Sequence, residues 1–66
     1  MINGYLAKQF CNLDLAVQVL QSNAGFYLGT LDDEGPCTRE SAEYWLNRID
    51  ADNALATGRW TQRSMP

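Results

Sequence analysis

Sixty-six residues, a net charge of −3 and no histidine bound this chain closely. A chain of that length makes one domain, and it buries only about 60% of the surface its unfolded form exposes. The acidic balance does not draw DNA or anionic lipid through the overall field and favours basic partners. Without histidine, the commonest general base and a principal zinc ligand are both missing.

Residues 2–23 read mainly as helix. Asn12 is placed to cap it, Asp14 suits the positive end of the helix dipole, and Leu13, Ala16, Val17 and Leu20 follow the spacing of one buried face. Leu15 and Val19 add a second apolar ridge, and Asn23-Ala24-Gly25 supplies the stop. Ahead of this, Tyr5, Leu6 and Phe10 belong to a short preceding helix or to an arm across a sheet.

The block from Gly25 to Trp45 reads as a β-hairpin, with strands at about 25–31 and 40–45. Phe26–Leu31 is rich in β-formers and ends at the turn Asp32-Asp33-Glu34-Gly35. Phe26, Leu28 and Thr30 share one face, and Tyr27, Gly29 and Leu31 the other. Gly29 inside the strand points to a bulge or a close backbone approach. The return arm, Glu40–Trp45, also fits a helical stripe through Ala42, Trp45, Leu46 and Ile49.

A helix follows at about 47–57. Asn47 and Asp50 resemble a capping box, Ala51, Ala54 and Leu55 form the buried stripe, and Gly58 ends it. Residues 59–63 read as a short third edge strand, and Ser64-Met65-Pro66 as a frayed end. The fold class expected is α+β.

The constellations that carry chemistry are thin. Cys11 and Cys37, far apart in sequence and without a leader-like segment before them, are expected as reduced, packed thiols of a cytoplasmic protein, with no disulfide framework. They supply too few ligands for zinc, and Asp32, Asp33 and Glu34 lack the spacing of a calcium loop and read as a solvated turn. No glycine motif fits a phosphate cradle. No catalytic residue, metal or cofactor is therefore expected. The aromatic residues are the stronger signal. Phe26 and Trp45 cannot easily share a core with Tyr27 and Tyr44, so the second sheet face is either covered by the N-terminal arm and Trp60 or offered to a partner. The residues expected to meet a partner are Tyr27, Arg39, Tyr44, Trp60 and Arg63, because aromatics beside arginine are typical of protein interfaces. Trp60 between Arg59 and Arg63 also has the stacking and charge of a weak nucleic-acid contact.

The runs YLGTLDDEGPCTRESAEYW and ALATGRWTQR, within residues 24–63, resemble small uncharacterised proteins carried by bacterial phages, prophages and plasmids. That resemblance implies a small non-enzymatic accessory module of a mobile genetic element, acting by protein contact and expected as a homodimer. It implies, as the alternative, an inhibitor of a host defence system of the anti-CRISPR kind.

Overall fold

A computed structural model describes residues 3–65; the expectations placed on Met1, Ile2 and Pro66 lie outside them. The chain is α+β, in the order α1 (Tyr5–Cys11), β1 (Gln18–Ser22), β2 (Gly25–Asp32), β3 (Gly35–Arg39) and α2 (Arg48–Thr57). The strands form one antiparallel meander with β2 in the centre. Helix α2 packs on β1 and β2, and α1 packs against β3.

The N-terminal helix is present but ends early. Asn12, expected as the start of a helix, is the C-cap of α1: its φ is +55° and its N–H bonds to the Ala7 carbonyl. A left-handed residue cannot continue a right-handed helix. The segment expected to be helical beyond it instead becomes β1. At its start Val17, just before the strand, and Val19 are buried while Gln18 between them is exposed, the two-residue alternation of a half-buried strand. The third strand of the sheet is thus β1, and residues 59–63 contribute only a single bridge, Ser41 to Gln62.

The hairpin runs through β2 and β3. Its turn is tight: the Glu34 N–H bonds to Oδ1 of Asp32 at 2.8 Å, and Gly35 pairs directly with Asp32. The return strand therefore begins at Gly35 and ends at Arg39, earlier than the expected 40–45. Residues 40–44 leave the ladder, and Ser41 fills the gap. Its hydroxyl accepts the Leu28 N–H at 3.0 Å and donates to the Glu43 carbonyl at 2.9 Å. The chain rejoins β2 where Trp45 bridges Phe26, so this stretch is neither a full strand nor a helix.

The core lies between the sheet and α2: Val17, Val19, Leu28 and Ala51, with Phe26, Trp45, Leu55 and Trp60 packed around them. Helix α2 has the expected limits, with Asn47 as N-cap and Gly58 left-handed at its end (φ +72°). The Asn47 side chain reaches the Asp50 carboxylate at 3.4 Å rather than a backbone N–H. Ala51 and Ala54 are buried as expected, but Leu46 and Ile49 are 90% and 71% exposed. They precede or open the helix on its outer side, so the alternative helical stripe through Ala42, Trp45, Leu46 and Ile49 does not form.

Candidate functional site

Both helices cover the Leu28/Thr30 face of the sheet, α2 through Ala51 against Leu28 and the start of α1 beside Thr30, and among the described residues no helix lies over the opposite face. On that face Leu20 stands opposite Tyr27, and Gly29 stands between Gln18 and Arg39. Gly29 has no side chain, and the Tyr27 ring leans into the space: its Cε2 is 2.9 Å from where a Cβ on Gly29 would be. A Cβ there would also collide with the Thr38 carbonyl oxygen. This is the close backbone approach expected at Gly29, and it buries Tyr27 to 8% exposure on the face without a helix.

Tyr44, carried by the irregular 40–44 segment, lies edge-on to Tyr27 with ring centroids 5.8 Å apart. The Arg39 guanidinium sits over the Tyr44 ring, 4.7 Å from its centroid, and Nη1 donates to the Tyr44 hydroxyl. Arg39 Nε is buried without a hydrogen-bond partner. Among the described residues the ion pairs are Lys8–Asp14 and Arg48–Asp52, both on the surface, and Arg39 has no carboxylate. Arg63 adjoins this cluster, its Nη1 3.5 Å from the Arg39 carbonyl oxygen.

Of the five residues expected to meet a partner, the structure brings together Tyr27, Arg39 and Tyr44, with Arg63 at their margin. Tyr27 supports the cluster from beneath, and Tyr44, 38% exposed, forms its outer surface. Trp60 is apart from them. It is half-buried against the core cluster on the α2 side, so it does not cover the second face, and its ring is not an open stacking platform for a base.

A second cluster went unseen in the sequence. Glu40 is fully buried, and its carboxylate accepts four hydrogen bonds. Two come from the first turn of α1, Leu6 N–H at 2.9 Å and Ala7 N–H at 3.1 Å. The others come from the Thr38 hydroxyl at 2.6 Å and Gln62 Nε2 at 2.8 Å. Because Thr38 spends its proton on Glu40, Thr30 must be the donor in the 2.6 Å contact between the two hydroxyls. Burial pushes the Glu40 carboxyl up, and these bonds outweigh it, leaving the pKa below the ordinary carboxylate value. The nearby Glu43 accepts the Thr61 N–H through both oxygens, at 2.9 and 3.0 Å, and is lowered too, again against the effect of burial. With every partner accounted for by the protein, Glu40 is a structural carboxylate that caps α1 from another part of the chain.

An open groove of about 550 Å³ lies between the α1–β1 connection and the hairpin tip. Leu13, Leu15 and Leu31 line it together with Asp32, Asp33 and Glu34. The cysteines adjoin this region, and Cys11 corrects the expectation of two packed thiols: it is exposed, Cys37 is half-buried, and their sulfurs are 3.3 Å apart. Among the described residues, no three side chains of metal-ligating type gather in one place, and no helix is long and apolar enough to cross a membrane. The chain matches no family model, and no curated protein or solved structure matches it significantly.

Proposed function

We propose that this chain is a small non-enzymatic binding module of a mobile genetic element, acting in the cytoplasm by protein–protein contact through the helix-free sheet face. One observation carries the reading: a guanidinium stacked on an exposed tyrosine, with no carboxylate to pair it among the described residues. Arginine and tyrosine are enriched in interface hot spots. Arg39, already held against Tyr44, loses little side-chain entropy on binding. The fitting partner presents a carboxylate to Arg39 and an apolar or aromatic group to the Tyr44 ring. The attribution to a mobile element rests on the likeness of residues 24–63 to such proteins. Pairing of two copies through the free edge of β1 belongs to the same reading, and light scattering that gives a monomeric mass at high concentration counts against it.

The test is affinity capture from bacterial lysate followed by titration with the purified partner. An Arg39→Ala/Tyr44→Ala variant should bind at least about 30-fold more weakly, the change that a 2 kcal/mol hot spot represents. Its fold should survive, since Tyr44 stands outside the core. Full affinity in the variant would sink the reading.

The acidic groove favours a second reading, inhibition of a host defence effector. Three leucines beside Asp32, Asp33 and Glu34 suit a basic, partly apolar surface on a nucleic-acid-binding protein. In that case the purified chain blocks the effector's nuclease activity, and replacing the three acids by their amides abolishes the block while Arg39→Ala does not.

A further inference from the structure

We propose that Cys11 and Cys37 form a reversible intramolecular disulfide that staples the end of α1 to the hairpin. The fold builds this pairing from two local irregularities. Cys11 is the last residue of α1, set by the left-handed Asn12 that follows it. Cys37 is the residue left over when Thr30 pairs with Thr38 and Leu31 with Pro36. That extra residue is a β-bulge, a device that re-aims a side chain out of the strand alternation, and here the side chain meets Cys11. The sulfurs, 26 positions apart in sequence, are 3.3 Å apart. A disulfide needs about 2.05 Å, so bond formation closes the sulfurs by a little over 1 Å, and the exposed Cys11 side chain has room to turn.

The two sulfurs have different parts. Cys37 donates its S–H toward the Cys11 sulfur. That hydrogen bond first, and burial next, hold the Cys37 thiol up at about 11, so Cys37 keeps its proton at neutral pH. Cys11, exposed and accepting that proton's hydrogen bond, is the sulfur that meets an oxidant. With a low-molecular-weight disulfide such as oxidised glutathione, the Cys11 thiolate attacks one sulfur. A protein–glutathione mixed disulfide forms and one glutathione thiolate leaves. Cys37 then gives its proton to solvent and attacks the Cys11 sulfur, expelling the second glutathione thiolate, and both leaving thiolates take up protons. The protein loses two electrons and two hydrogens, and one glutathione disulfide becomes two glutathione thiols. The product joins the two sides of the region where Leu13 and Leu15 face Leu31 and the acidic turn.

The whole chain, dilute, is incubated with oxidised glutathione, and intact mass and peptide mapping are read. The expected product is a monomer lighter by two hydrogens, with a Cys11–Cys37 cross-link that dithiothreitol reverses. Its melting temperature should rise by roughly 10 °C or more, since a closed loop restricts the unfolded chain. The variants separate the roles. Cys37→Ser should accumulate the glutathione adduct on Cys11, because the resolving thiol is gone, while Cys11→Ser, whose remaining thiol is the less exposed of the two, should be modified more slowly. Two thiols that remain alkylatable after incubation, or cross-links formed only between molecules, would overturn the proposal. So would equal adducts on both single variants.

Discussion

Oε2 of Glu40 lies 2.6 Å from the point where a Cβ on Gly4 would stand, with Thr30 Cγ2 at 2.5 Å on the other side. The first turn of α1 therefore reaches its buried carboxylate only because residue 4 has no side chain. Gly4→Ala forces the helix off the carboxylate or the carboxylate off its donors. We expect a loss of about 1–3 kcal/mol, the usual cost of overpacking, read from urea denaturation. An unchanged midpoint would show that α1 is not seated on Glu40.

Glu40→Gln keeps the shape and removes the charge. One of its two positions becomes an NH2 group facing N–H or O–H donors, so at least one buried donor is left unsatisfied. Charged hydrogen bonds of this kind contribute about 1.5–3 kcal/mol each, and the variant should lose about 3 kcal/mol in all. Far-ultraviolet circular dichroism should show the loss of helix before the sheet signal goes. A variant as stable as the parent would mean that the carboxylate is replaceable.

The same carboxylates set a pH dependence. Glu40 and Glu43 both have folded-state pKa values below the ordinary 4.5. Their contribution is present in full above that value and is lost as pH falls through the lower folded pKa values. Unfolding free energy should be flat from neutrality to about pH 5 and fall below it. In Glu40→Gln the slope should shrink to the part that Glu43 carries. Equal acid slopes in both proteins would assign the dependence to other groups.

Neighbouring apolar residues should divide sharply. Trp45 packs against the core and bridges Phe26, so Trp45→Ala should cost about 3 kcal/mol, the lower end for a large aromatic that is only partly buried. Leu46 and Ile49 are mostly exposed, and Leu46→Gln or Ile49→Gln should change stability by under about 0.5 kcal/mol. Thermal melts of the three variants settle whether the side-chain directions in residues 45–49 are as described.

Helix α2 was legible because its signals are local: Asn47 and Gly58 mark its ends, and Ala51 and Ala54 mark its face. The tight turn at Asp32–Gly35 was legible for the same reason. β1 was not, since Leu13, Ala16, Val17 and Leu20 satisfy helical spacing as well as Val17 and Val19 satisfy alternation. Asn12 decides between them by ending α1, and asparagine suits a helix start as well as a helix end. The Tyr27–Tyr44 and Arg39 grouping was anticipated from aromatic content, whereas Trp60 was misplaced because its neighbours in sequence are arginines and its neighbours in space are core residues. Glu40 gave no signal at all. Its partners Leu6, Ala7 and Gln62 are 34, 33 and 22 positions away, and only the folded chain assembles them.

The two helices are thus fastened to one sheet by different chemistry. α2 rests on Val19 and Leu28, contacts indifferent to protons, while the first turn of α1 is tied to a carboxylate that acid neutralises. Acid below pH 4.5, the ordinary value beneath which Glu40 is held, should undock α1 with α2 still seated, a half-open form that heat alone, acting on both attachments together, would not isolate.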